Sequence, residues 1–138
     1  MTSKESLIIL TTRAYAALHE GNFPLAFELF TKVQNEYPDN ETAAYELARF
    51  YDQGNVVGVD KQKALQLYEL AAEYITEAQE RLAEMYDSGE CTAPDKQKAQ
   101  MLRERAAKQK VSHQKPRTLA ETIRRKVEQI QGIHSSDS

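Results

Sequence analysis

The chain of 138 residues has one cysteine, no tryptophan, five glycines and four prolines. Each shortage excludes something. A lone Cys91 has no partner for an intrachain disulfide, so a disulfide scaffold is excluded and a reducing, cytoplasmic setting is expected. So few Gly and Pro leave little room for an all-β chain with many tight turns. The longest apolar run near the start, Leu7-Ile8-Ile9-Leu10, falls far short of the roughly 20 residues of a spanning helix. It is also shorter than the apolar core of about 7–15 residues in a signal peptide, so neither a membrane span nor signal-directed export is expected. Wholesale disorder is excluded as well, because 41% of the residues are hydrophobic and Leu, Ile, Val, Phe and Tyr recur throughout.

What is present is a repeat. Tyr51-Asp52-Gln53-Gly54 recurs as Tyr86-Asp87-Ser88-Gly89, 35 residues later. At the same offset Ala43 meets Ala78, Leu47 meets Leu82, Ala48 meets Ala83, and Glu46 meets Arg81. Downstream, Asp60-Lys61-Gln62-Lys63-Ala64 recurs letter for letter as Asp95-Lys96-Gln97-Lys98-Ala99. A period of roughly 20–50 residues marks a solenoid, in which each repeat buries its apolar face against the next.

Each repeat reads as two short helices. Ala44, Leu47, Ala48 and Tyr51 share one helical face, and Ala64, Leu67, Tyr68, Ala71 and Ala72 form a second stripe. Gly54 and Gly89 follow the first helix, where the left-handed conformation closes a helix end. Asp60 and Asp95 stand where a carboxylate caps free backbone N–H groups. Upstream, Pro24 suits a first helical turn, Ala26, Leu29, Phe30 and Val33 share a face, and Pro38 ends the helix. Leu7, Leu10, Ala14, Ala17 and Leu18 make its partner. The expected fold is therefore all-α: six helices in three hairpins, over about 5–38, 41–74 and 76–110. Ala64→Glu and Ala99→Glu are expected to disrupt it, because small residues there let the helices approach closely.

The pattern from Gly21 and Phe23 through Ala26, Phe30, Val33 and Pro38 resembles a tetratricopeptide repeat. The two later repeats resemble the related Sel-one-like repeat, with Ala, Leu-Ala, Tyr-x-x-Gly, Asp-x-x-Lys-Ala and Ala-Ala in order. The resemblance implies a short right-handed α-solenoid and a role in protein binding. In that family the loop between the helices runs Gly-x-Gly-Val. Here it reads Gly54-Asn55-Val56-Val57 and Gly89-Glu90-Cys91-Thr92, so the absent second glycine predicts loops of different shape. The turn Glu73-Tyr74-Ile75-Thr76 also lacks the glycine common there.

Little in the chain suggests catalysis. It has no Gly-rich phosphate loop, no Gly-x-Ser-x-Gly and no His-Glu-x-x-His. His19, His113 and His134 are scattered, so no metal ligand set is expected. Cys91 has no base beside it in sequence to lower its pKa. An enzyme is not expected, and no cofactor is implied.

A binding surface remains. The resemblance places the first helix of each repeat on the concave side. By register, the inward-facing positions outside the core are Thr11, Tyr15 and His19, then Tyr45, Arg49 and Asp52, then Glu80, Glu84 and Asp87. Tyr15 and Tyr45 either pack between adjacent first helices or contact a partner. The acidic trio is either a solvated face or a docking site for a basic segment. The expected function is an adaptor or chaperone-like module that holds a partner segment. The resemblance also admits a bacterial immunity or regulatory protein that inhibits a cognate toxin or enzyme.

The last thirty residues differ in kind. Val111 to Pro116 reads as a linker, and Thr118 with Glu121 forms a capping box for an amphipathic helix. Its stripe is Leu119, Ile123, Val127 and Ile130, with Arg124 and further basic residues beside it, and Gly132 ends it before a frayed tail. This helix either caps the last repeat, docks on a partner or on a second copy as a homodimer, or meets a membrane or nucleic acid. Charge bears on the choice. Residues 1–95 hold 7 Lys and Arg against 17 Asp and Glu, whereas residues 96–138 hold 11 against 4. The formal net charge of −3 is thus a cancellation between an acidic body and a basic end. The acidic body opposes general nucleic-acid affinity.

Overall fold

A computed structural model of the protein describes residues 6–114, 123–124 and 126–130, with backbone only for 111–114. Within residues 7–114 six helices follow in order: α1 (Leu7–His19), α2 (Phe23–Glu36), α3 (Glu41–Gln53), α4 (Lys61–Ala71), α5 (Thr76–Ser88) and α6 (Lys96–Gln114). The chain divides into two compact units, Met1–Ala106 and Ala107–Ser138.

The hairpins begin and end where short-range chemistry places them. Asn22 and Asn40 cap α2 and α3 by accepting from Leu25 N and Ala43 N, at 3.3 and 2.9 Å. Asp60 and Asp95 cap α4 and α6 by accepting from Lys63 N and Lys98 N, each at 3.0 Å. Gly54 and Gly89 close α3 and α5 at φ +72° and +71°. A Cβ there would lie 2.6 Å from Val59 Cγ2 or 2.7 Å from Pro94 Cγ, so close approach as well as backbone sign requires glycine.

The two loops differ where the family's second glycine is missing. Val56 adopts φ +67°, and Val57 N donates to Asn55 O at 2.7 Å, which closes a tight three-residue turn around it. A β-branched residue is strained in that conformation. The corresponding Cys91 shows no positive φ. The glycine-less turn after α4 is held in another way: the buried Gln79 side chain donates through Nε2 to Ala72 O at 2.6 Å.

Packing joins the hairpins in series. α1 packs on α2 and α3 on α4, while α2 meets α3 and α4 meets α5. Leu10, Phe30, Val33, Leu82 and Met85 are fully buried, each worth about 1.5–3 kcal/mol of transfer free energy. Phe27 meets Phe50 and Tyr51 edge-on, with centroids 5.4 and 6.0 Å apart, and so locks repeat one to repeat two. Ala64 and Ala99 have no exposed surface, so a glutamate at either place is a buried, unpartnered charge costing several kcal/mol.

The expected linker is corrected in part. α6 continues to Gln114, and the boundary between the compact units falls inside it rather than at 110. Val111 to Gln114 contains no helix breaker, and the first obstacle is Pro116, which disfavours helix in the residue before it. In the second unit, residues 126–130 are helical, and Ile123, Val127 and Ile130 are 54%, 45% and 55% exposed. Arg124 stands 3.9 Å from Glu128, an exposed pair of little energetic weight. Leu119, the Thr118–Glu121 capping box, Gly132 and His134 lie outside the described residues.

Candidate interaction surface

The first helices α1, α3 and α5 are tied to one another by side chains at the positions that register selects. Tyr15 on α1 stands edge-on to Phe30, with centroids 5.2 Å apart, and its hydroxyl donates to Glu46 Oε1 on α3 at 3.4 Å. The residue is still 39% exposed, so it packs against its neighbours and remains accessible. Tyr45 is half-buried, 6.1 Å from the Tyr68 ring, with the Arg49 guanidinium 5.8 Å from its own centroid. Thr11 is half-buried and His19 exposed.

Asp52, expected to face inward at the end of α3, is committed to intramolecular bonds. It accepts from Arg81 on α5 at both oxygens, 2.7 Å from Nε and 3.0 Å from Nη2. Lys61 Nζ and the Tyr68 hydroxyl complete its shell, the latter at 3.0 Å. Arg81 reaches onward to Glu90 at 2.8 Å. The Arg81 guanidinium holds the Asp52 carboxyl well below the usual carboxylate range, aided by Lys61 and Tyr68 and opposed by burial. This network spans repeats two and three.

The acidic trio is partly neutralised. Glu84 is exposed and accepts from Arg81 at 3.2 Å, Asp87 accepts from Arg103 at 2.7 Å, and Glu80 is half-buried. The face is therefore a mixture of tyrosine, arginine and carboxylate rather than an acid strip.

Glu46 is the residue that periodicity misses. It is 5% exposed, although a glutamate at its position on an amphipathic helix reads as solvated. Both of its hydrogen bonds are long: 3.4 Å from Tyr15 and 3.4 Å from Arg49 Nη1. Burial pushes its carboxyl pKa up, against the pull of Arg49 and Tyr15. Glu46 and Arg49 border a cleft of about 210 Å³ walled by Leu18, Phe23 and Phe50, with Gln53 and Asn55 at its edge. The available signal was the alignment of Glu46 with Arg81, a charge reversal inside an otherwise matching register.

Among the described residues, no group of three or more His, Cys, Asp or Glu is arranged to hold a metal ion. Cys91 is a half-buried free thiol, and burial together with Glu90 raises its pKa, which disfavours the reactive thiolate. Among the described residues, no helix is long and apolar enough to cross a membrane.

The Sel1 repeat family matches residues 42–73 and 76–111, a span of about half the chain that carries α3 to α6. A Sel1 repeat protein from Oxalobacter formigenes, solved by crystallography, superposes with a TM-score of 0.65 at 24% sequence identity. The alignment covers 75% of this chain but only 43% of that protein, and at this identity it speaks for the fold alone. No curated protein matches the chain in sequence. The register, the helix hairpins and the family match converge: the chain belongs to the Sel1 repeat family, within the tetratricopeptide-like helical repeats.

Proposed function

We propose that the protein is a non-enzymatic binding module, adaptor or chaperone-like, that holds a segment of a partner protein across α1, α3 and α5. Sel1 repeats generally serve protein–protein interaction, and helix-pair solenoids present extended surfaces for it. One observation carries the reading for this chain. Tyr15, Tyr45 and Arg49 stand half-exposed on consecutive first helices, beside a cleft that their neighbours line. Rigid amphipathic rings and a planar donor fork give contact area at low entropic cost. Glu84 and Asp87 extend the same face on α5, whereas Asp52 serves the fold.

A photo-crosslinking side chain in place of Tyr45, used in the native host, tests the reading. The expected result is one dominant crosslinked protein. Its capture should fall by at least about tenfold in the triple variant Tyr15→Ala, Arg49→Ala, Glu84→Ala, which circular dichroism should show to be folded. Undiminished capture by the folded variant removes this face from the account.

A further inference from the structure

The two joints between repeats place carboxylates in opposite circumstances. At the second joint the protein brings its own cations: Arg81 binds Asp52 at 2.7 and 3.0 Å, and Lys61 joins it. At the first joint the register is inverted, with Glu46 where the next repeat has Arg81. Its carboxylate is nearly enclosed, yet its bonds from Tyr15 and Arg49 are both 3.4 Å, at the long limit for a hydrogen bond. An ionised carboxylate is acceptor-only, with about four lone-pair sites across its two oxygens, so two long bonds leave most of that capacity unused. Beside it lies the cleft of about 210 Å³ with walls from Leu18, Phe23 and Phe50.

We infer that this cleft is a specificity pocket for one lysine side chain of the bound partner, whose methylene stem lies on the apolar walls and whose ammonium bonds Glu46. This rests on the first-helix face being the binding surface. A lysine divides in the same way as the cleft, with an apolar stem and a charged tip. Charge favours it too, since residues 1–95 hold 7 basic against 17 acidic side chains. Arg49 is no obstacle. It reaches one carboxylate oxygen only, its side chain is 43% exposed, and its guanidinium already lies near the Tyr45 ring. An ammonium at Glu46 displaces it towards that ring.

The test titrates the full ¹⁵N-labelled chain with N-acetyl-lysine methylamide and follows amide shifts by NMR. Shifts should centre on Glu46, Arg49 and Gln53. N-acetyl-norleucine methylamide, which keeps the stem and loses the charge, should bind at least about tenfold more weakly, as one charged hydrogen bond implies. Glu46→Gln should weaken the lysine probe by a similar factor. Arg49→Gln, which removes the competing cation, should tighten it several-fold, an effect that a purely structural Glu46–Arg49 pair does not produce. Equal binding of the norleucine probe overturns the inference, as does tighter binding of N-acetyl-glutamate methylamide. The absence of localised shifts at about 100 mM probe overturns it equally. Crosslinking from Tyr45 without lysine binding sinks the pocket and leaves the face standing. Lysine binding with the partner crosslinked elsewhere does the reverse.

Discussion

The joint between repeats one and two and the joint between repeats two and three share helix α3 but treat its carboxylates in opposite ways. Asp52 is gripped by Arg81, Lys61 and Tyr68, and its pKa is driven down. Glu46, six residues earlier, is buried with two long bonds, and its pKa is driven up. The difference teaches what each joint is for. Paired charges with several short bonds offset their desolvation and bind two repeats together. A carboxylate held by weak bonds beside a cleft costs stability, and that cost is sensible where a ligand completes the shell.

The most direct way to break the comparison is Arg81→Met. It leaves the largely covered Asp52 side chain without its main cation, and a loss of about 2–3 kcal/mol is expected in urea unfolding, below the usual range for buried pairs because Asp52 is half-buried and Arg81 partly exposed. A change under about 0.5 kcal/mol would show that the network is ornamental.

Acid titration separates the joints by sign. The folded chain holds Asp52 below its unfolded value, so the unfolded chain takes up that proton first. The Asp52 contribution is therefore complete above the unfolded carboxylate pKa of about 4 and is lost as the pH falls through the lower folded value. Glu90 adds to the same slope through Arg81. Glu46 runs the other way: its contribution is present at low pH and is lost as the pH rises through its raised value. Arg81→Met should flatten the loss of stability on the acid side, and Glu46→Gln should leave that limb in place. Urea midpoints across pH 2–7 would decide it.

Smaller effects sharpen the picture. Val56→Gly relieves a strained positive φ that costs of order 1–3 kcal/mol, offset in part by the roughly 0.5–1 kcal/mol entropy of glycine. A net gain of about 1 kcal/mol, read as a rise in Tm, is expected. A fall would mean that the exposed valine packs more than its 48% exposure suggests. Glu46→Gln should be smallest: within about 0.5 kcal/mol of wild type at pH 7, and on the stabilising side, since it removes a buried charge and keeps a polar group. A loss above 1 kcal/mol would make Glu46 a structural ion rather than a site.

Much of the molecule was legible because its determinants are local. Helix faces repeat at i, i+3, i+4; Asp60 and Asp95 sit three residues before the N–H groups they cap; Gly54 and Gly89 permit the positive φ that closes a helix end without steric cost. Tyr15, Tyr45 and Arg49 share a face by register on the first helices, and the structure leaves Tyr15 exposed and the other two half-buried. The end of α6 was less legible, because the polar stretch from Val111 to Gln114 carries neither an apolar stripe nor a helix breaker, and the helix continues through it.

By itself, then, the sequence determined the hairpins, their caps, their register and the family. Tertiary structure decided the fate of each charge. Whether Asp52 faces solvent or a bidentate arginine depends on residue 81, 29 positions away, and whether Glu46 is solvated depends on packing that also brings Tyr15 to it from α1, 31 positions away. Electrostatic free energy scales with local dielectric and with separation, and both are properties of packing rather than of spacing along the chain. Two acids of nearly equal intrinsic pKa on one helix thus become a fastener and a candidate site.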